Sequence, residues 1–266
     1  MVIIKILLIV ILVYAVISLG YFLLQEKFIF VPTISGEPFE IKLSTFASSI
    51  FINTPNDGKI HALLLKIHNP KGVIFYLHGN TGSLKRWQFM AEELTSYGYD
   101  VFVMDYRQYG QSSGKRSEGI LHRDVEHCYE FIEEKYSGQK IIIYGRSLGS
   151  GFATRLASRK KCERLVLETP FFNLIDVANS HLPFLPVRYL LRYKFRSDIH
   201  IQHIESPILI LHGTKDLMVK YNSALKLFRQ AESSGKDVHM VTLVGGKHSN
   251  LNIFPLFRER LEEFLD

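Results

Sequence analysis

Gly145-Arg146-Ser147-Leu148-Gly149 places a serine between two glycines, after an apolar run and before a stretch of helical character. In a strand–turn–helix setting this spacing makes a nucleophile elbow. The turn holds Ser147 in a strained backbone conformation and lifts its hydroxyl above a sheet, and side chains at 145 and 149 would clash with the flanking turns. A serine hydroxyl attacks a carbonyl only when a base takes its proton, so a histidine and an acid to orient it are needed downstream. His212-Gly213-Thr214-Lys215-Asp216 follows the apolar run Ile208–Leu211, and Gly245-Gly246-Lys247-His248 follows Val238–Val244. In the order serine, acid, histidine, the expectation is Ser147 as nucleophile, Asp216 fixing the imidazole tautomer, and His248 shuttling the proton.

Other groups compete for these roles. Among the 11 histidines, His61 and His68 fall in early strand candidates and His122 and His127 in a helical stretch. His200-x-x-His203 lacks an acidic partner at ligand spacing, so it reads as polar surface rather than a metal site. Asp105 precedes the nucleophile and reads as a loop brace, while Asp176 and Asp198 belong to an irregular segment described below. Donors for a tetrahedral oxyanion are expected from Leu148 N–H and from the turn His78-Gly79-Asn80-Thr81-Gly82, with Asn80 N–H first and Thr81 second. His78 reads as a brace. Gly79–Lys85 lacks the Gly-Lys-Ser/Thr of a phosphate loop, and Gly149-Ser150-Gly151 has Thr154 where a dinucleotide fingerprint needs glycine. No cofactor or metal is implied.

These residues need a scaffold that brings strand ends together. Strand candidates occur at Ser49–Asn53, Ile60–His68, Val73–Leu77, Asp100–Asp105, Lys140–Tyr144, Leu165–Glu168, Ile208–Leu211 and Val238–Val244. Helical stretches cover Leu84–Tyr97, Ser117–Tyr136, Leu148–Ser158, Tyr221–Ser233 and Asn250–Leu265. Val73–Leu77, Val101–Met104 and Ile141–Tyr144 are almost wholly apolar, as strands covered on both faces must be. The alternation predicts an α/β fold with a mostly parallel sheet and helices on both faces. Ligands in such sheets sit at the carboxyl ends of strands, where the candidate residues lie. Phe171–Ser206 breaks the alternation with Pro183, Pro186 and many aromatics, and is expected to form a small cap over those ends. In a helix there, Arg188, Arg192 and Arg196 would share one stripe at i, i+4 and i+8. Such a stripe fits a cap against anionic lipid, or an ordinary solvated face.

The chain has 266 residues, 47% hydrophobic and 22% charged, which excludes wholesale disorder. Cys128 and Cys162 cannot make a disulfide framework. A net charge of +6 without a reading motif gives no case for nucleic-acid binding. Ile6 to Leu24 carries no charge and, at about 1.5 Å per residue, matches the roughly 30 Å hydrocarbon core of a bilayer. Ser18-Leu19-Gly20 resembles a signal-peptidase site, but the apolar run continues through Tyr-Phe-Leu-Leu, so an uncleaved anchor over residues 1–27 is expected. Lys5 and the amino terminus favour exporting the remainder, 28–266, to the non-cytoplasmic side, with Lys27 and Lys42 weighing against. Pro32 to Pro38, with Gly36, reads as a linker.

Taken together, HGNTG at 78–82, DYRQYGQSSG at 105–114, GRSLG at 145–149, HLPFLPVRYLLRYKF at 181–195, HGTKD at 212–216 and GGKH at 245–248 resemble the α/β-hydrolase superfamily. Within it they resemble the Bem46-like family of membrane-anchored serine hydrolases. The resemblance implies an α/β-hydrolase fold and a Ser147–Asp216–His248 triad. It further implies cofactor-free cleavage of carboxylic esters or thioesters, lipid or acyl-protein substrates included, through an acyl-serine. Three positions depart from the family pattern: Gln108 stands where the family usually has Gly, Thr81 where it has a small residue such as Ala, and Ser249-Asn250 where it often has Asn-Asp. A serine peptidase of the same fold and a non-catalytic membrane-tethered binding module are the alternatives; an intact triad argues against the second.

Overall fold

The computed structural model describes residues 1–34 and 39–266. A 28-residue helix, α1 (Val2–Ile29), opens the chain and leads into a two-residue strand, β1 (Val31–Pro32). Pro32 of the expected linker is therefore in a strand, and residues 35–38 lie outside the described residues. An antiparallel hairpin follows, β2 (Phe46–Thr54) and β3 (Gly58–Lys66). Next come β4 (Gly72–Leu77), the short β5 (Thr81–Gly82), α2 (Leu84–Thr95), β6 (Asp100–Met104) and α3 (Glu118–Lys135). After them run β7 (Lys140–Arg146), α4 (Leu148–Ala157) and β8 (Arg164–Glu168). The expected cap segment supplies α5 (Leu174–His181), α6 (Val187–Leu190), α7 (Ser197–His200) and a 3-10 turn at Ile201–His203. Then β9 (Ile208–Gly213), α8 (Tyr221–Ser233), β10 (Val238–Leu243) and α9 (Pro255–Leu265) complete the chain.

The main sheet has 8 strands in the order β10-β9-β8-β7-β4-β6-β3-β2. All neighbours from β10 to β6 pair in parallel, and β3 and β2 run antiparallel at one edge. Every residue of β4, β6 and β9 is buried, as the apolar runs require. Successive side chains alternate between two cores. Phe75, Phe102, Ile143 and Leu165 pack with Val125, Phe152 and Leu227 of α3, α4 and α8. Ile74, Val101, Ile142 and Val166 face Trp87, Ala91 and Leu261 of α2 and α9. Removing one such aromatic, Phe102→Ala for instance, costs about 3–5 kcal/mol.

Two expectations need correction. The last helix begins at Pro255, not Asn250, because proline has no N–H to donate and favours the first helical turn; residues 251–253 form a 3-10 turn instead. The arginine stripe does not exist. Only Val187–Leu190 are helical; Leu191 (ψ 124) leaves the helix, and Phe195 has a left-handed backbone at φ 40. Arg192 N donates to Gln25 Oε1 at 2.7 Å, and Lys194 N and Phe195 N donate to the Glu118 carboxylate at 2.6 and 3.1 Å. Those bonds to distant elements hold the segment out of a helix, and Arg192 turns to Glu26 at 3.2 Å and Arg196 to Asp198 at 2.7 Å.

Helix α1 is long and apolar enough to cross a membrane, and residues 1–17 are all exposed. Its C-terminal end is fixed to the rest of the molecule. Buried Gln25 donates to Leu190 O at 3.1 Å as well as accepting from Arg192. The Glu26 carboxylate accepts from the Tyr193 hydroxyl at 2.9 Å and lies 3.4 Å from Arg116 Nε. Phe30, 2% exposed, meets the Tyr193 ring edge-on at 4.9 Å. Strand β1 then pairs in parallel with β5, with Val31 N donating to Asn80 O at 2.9 Å and Thr33 N to Gly82 O at 2.8 Å.

Candidate active site

Ser147 occupies the turn between β7 and α4 with φ 50 and ψ −116, outside the regions that L-residues favour. Such strain costs of order 1–3 kcal/mol and persists only where its surroundings enforce it. Here the two glycines let the turn close. A Cβ on Gly149 would sit 1.8 Å from Leu77 O, and one on Gly145 would sit 2.5 Å from Ala153 Cβ. Ser147 N–H donates to Glu168 O at 2.9 Å, and Ser150 N–H and hydroxyl both return to Ser147 O.

The three expected residues meet. His248 Nε2 lies 2.9 Å from Ser147 Oγ, and His248 Nδ1 lies 2.7 Å from Asp216 Oδ2. The distance pattern fits one tautomer, in which Nδ1–H donates to the carboxylate and Nε2 accepts from the serine hydroxyl. The other oxygen, Asp216 Oδ1, accepts from Met218 N and Val219 N, each at 2.9 Å, so both oxygens are committed. Asp216 is buried; the His248 side chain is 21% exposed and stays reachable from the cavity. Asn250 Oδ1, in one of the positions departing from the family pattern, accepts from Lys247 N at 2.7 Å and closes the turn that carries His248.

Leu148 is the first residue of α4, where an N–H has no intrahelical acceptor and the helix dipole favours negative charge. Asn80 joins Leu148, Ser147 and His248 in lining one cavity; Thr81 is not among its lining residues, and its hydroxyl accepts from Arg86 at 3.0 Å. The peptide on each side of Asn80 is pinned. Gly79 O lies 2.7 Å from His78 Nδ1, and Asn80 O accepts from the Tyr109 hydroxyl at 2.6 Å and from Val31 N. Burial pushes the Tyr109 phenol above its ordinary value, so it remains a donor. His78 is itself buried between Trp87 and Tyr106, with Nε2 3.2 Å from Asp105 Oδ1. Asp105 also accepts from Leu84 N at 3.0 Å at the start of α2, the bracing role expected of it.

The cavity above Ser147 measures about 710 Å³, within the roughly 300–1,000 Å³ usual for small-molecule sites. Its walls are overwhelmingly apolar, from Phe171, Leu174, Val177 and Leu182 of the cap region to Val219 beside the acid loop.

Against known proteins, the alpha/beta hydrolase fold family matches residues 72–196. Lysophosphatidylserine lipase ABHD12 of Danio rerio is 33% identical over 222 residues, covering 73% of this chain and 58% of the lipase. Alpha/beta hydrolase domain-containing protein 17C of Mus musculus is 27% identical over 219 residues, 81% of this chain and 66% of that protein. The chain has the α/β-hydrolase fold, matched by the family over residues 72–196 and shared with these relatives. It spans little more than half the length of the lipases it matches. The fold is also that of the Pyrococcus furiosus esterase Pf2001, with a TM-score of 0.72 and 21% identity over 88% of this chain and 98% of the esterase.

Several structural roles around the site were not legible in the sequence. His212 sits beside the acid, its Nε2 donating to Val219 O at 2.9 Å and lying 3.4 Å from Asp216 Oδ2. Burial lowers its pKa, against the pull of Asp216, and the ring stays a neutral prop for the loop. Arg146 of the elbow faces Glu168 at 3.3 Å and lies over the Trp87 ring. Gln108 adopts φ 66, a left-handed conformation that explains the family's glycine there. Ile17, Gly20, Tyr21 and Leu24 of α1 form part of the cavity wall. No sequence signal could single them out, because α1 is apolar all round.

Proposed function

We propose that the chain is a membrane-anchored serine hydrolase of carboxylic esters or thioesters. Residues 1–27 are its anchor, 28–266 its catalytic domain and 171–206 the cap. The observation that carries this reading is the hydrogen-bonded line from Asp216 through His248 to Ser147 on the floor of an apolar cavity. Ser147 Oγ attacks the substrate carbonyl while its proton passes to His248 Nε2. The carbonyl electrons move onto oxygen, where Leu148 N–H and Asn80 N–H receive the charge. Collapse expels the alkoxide or thiolate, which takes the proton from His248, and leaves an acyl-serine. Water, deprotonated by the same imidazole, then attacks the acyl carbonyl; collapse returns the proton to Ser147 Oγ and releases the acid.

The apolar cavity suits an acyl chain better than a polar peptide backbone, whose N–H and C=O groups need partners. That favours lipid esters over peptides, in keeping with a relative named as a lysophosphatidylserine lipase. Lys5 ahead of the apolar run, set against Lys27 and Lys42 beyond it, slightly favours the non-cytoplasmic side for the catalytic domain. Protease protection of sealed vesicles tests the side.

The test of the chemistry is labelling of the full-length protein in membranes by a fluorescent fluorophosphonate, beside Ser147→Ala. Wild type should label and the variant stay dark, because serine loss in a triad costs on the order of a millionfold. A folded wild type that does not label ends the hydrolase reading.

A further inference from the structure

Helix α1 is built into the site instead of merely tethering it. The residues Tyr14, Ile17, Tyr21, Leu24 and Phe28 recur at alternating spacings of three and four, so they lie on one face of the helix. Ile17, Tyr21, Leu24 and Phe28 line the cavity that ends at Ser147. Gly20 lines it too, and a Cβ added there would meet nothing within 4 Å, which leaves open space beside the helix. Ile17 and Leu24 are nonetheless 48% and 44% exposed, so the cavity opens outward between the helix and the cap.

Depth along the helix identifies what lies outside that opening. If the apolar run ending at Leu24 marks the edge of the hydrocarbon layer, Ile17 lies about 10 Å inside it and Tyr14 about 15 Å, near the middle of a roughly 30 Å core. The cap follows the helix down. Leu182 to Val187 carries no charge, Phe184 is 62% exposed, and Leu185 packs in the same small cluster as Tyr21. The Tyr14 hydroxyl donates to Phe184 O at 3.2 Å. Within hydrocarbon a backbone carbonyl has no water to bind, and this tyrosine supplies the missing donor.

We propose that the face of α1 around Gly20 and the cap turn 182–186 form a portal opening sideways into the bilayer, through which the acyl chain of a membrane glycerolipid ester reaches Ser147. This rests on the hydrolase reading and assigns the anchor a part in choosing the substrate. The lipid keeps its chain in an apolar surround throughout, so no extraction into water is needed. The wall contributed by α1 adds apolar surface for a long chain to cover, so the palmitoyl ester should depend on it more than the butyryl ester.

The decisive experiment uses the full-length protein in phosphatidylcholine vesicles and a fluorophosphonate with a long alkyl tail carrying a diazirine midway along it. The phosphorus reacts at Ser147, with loss of fluoride, and fixes one end of the tail; light then joins the tail to whatever surrounds it. The proposal expects cross-links to peptides containing residues 17–28 or 182–186. Labelling at Ser147 with cross-links only to other parts of the domain, or to vesicle lipid alone, overturns it while leaving the hydrolase reading intact. Failure to label at Ser147 removes both. As a second measurement, Gly20→Phe and Ile17→Trp should each lower the ratio of palmitoyl- to butyryl-ester kcat/KM by about tenfold or more. Leu23→Phe, on the face away from the cavity, should keep the wild-type ratio. An unchanged ratio in both portal variants, or a loss equal for both esters, counts against the portal.

Discussion

Replacing Asp216 by asparagine tests the hydrogen-bond logic of the site more sharply than deleting the side chain. Asp216 Oδ1 accepts from Met218 N and Val219 N at 2.9 Å each, while Oδ2 faces His248 Nδ1 at 2.7 Å. An asparagine amide has one acceptor and one donor end. Two backbone donors on one side force the amide oxygen towards them, which turns the NH2 towards His248 Nδ1. The imidazole must then accept at Nδ1 and carry its proton on Nε2, facing Ser147 Oγ. A base already protonated at Nε2 cannot take the serine proton, and the expected loss in kcat is about ten-thousandfold, or about 5.4 kcal/mol in the barrier. Asp216→Ala removes the orienting group without dictating the tautomer, so it should be no worse than the asparagine variant. The assay is ester turnover and the rate of fluorophosphonate labelling for both variants, with thermal midpoints to show that each is folded. An asparagine variant within tenfold of wild type, or one clearly faster than the alanine variant, would refute the tautomer argument.

Other perturbations follow from the same geometry. Arg107, 1% exposed, holds both Asp124 oxygens at 2.7 and 2.8 Å and also donates to Asn56 O, Pro55 O and Lys115 O. Arg107→Met strands a buried carboxylate and should destabilise by about 3–5 kcal/mol, lowering the thermal midpoint by on the order of 10 °C. Gly149→Ala forces a Cβ to 1.8 Å from Leu77 O, a backbone atom of a buried strand. The variant should therefore not label with fluorophosphonate, and wild-type labelling would show that the elbow is not held as described. His200 has its pKa lowered from 6.5 to about 4, first by burial and then by the Arg155 charge. A lowered histidine contributes stability above about 6.5 that is lost as pH falls through 4; after screening this amounts to about 1–2 kcal/mol. Urea unfolding at pH 7 and pH 4 should show a smaller difference for His200→Gln than for wild type.

The parts of this site that are legible in sequence are those enforced locally. Gly145 and Gly149 announce the elbow because the turn cannot form around a Cβ, and Asp216 and His248 stand just past apolar runs that must be buried strands. The path of residues 187–196 is not legible. Arginines spaced four apart suit a helix, but Gln25 and Glu118, far away in the chain, take the backbone N–H groups of Arg192, Lys194 and Phe195. Gln108 is hidden in another way: nothing about glutamine signals a left-handed backbone, and only the glycine usual in the family at that position marks it. The cavity-lining face of α1 is invisible because a membrane-crossing stretch is apolar on every side, so periodicity has no contrast to report.

The proposed anchor and the proposed oxyanion turn are joined by one continuous piece of chain. Helix α1 ends at Ile29, Phe30 is clamped under Tyr193, and the next residue, Val31, donates to Asn80 O. That carbonyl has one other donor named in the site, the Tyr109 hydroxyl, and the preceding peptide is held at Gly79 O beside His78. A peptide unit is planar, so holding carbonyls on both sides of Asn80 fixes where its N–H points. A tilt of α1 relative to the domain therefore cannot be absorbed by a loose tether: it would act on β1 and through it on the turn beside Ser147. The strand after the anchor is short, and its two pairings with β5 are where that coupling passes. In the proposed reading, the bilayer that holds α1 also bears, through β1, on the turn that carries the proposed oxyanion donor Asn80 N–H.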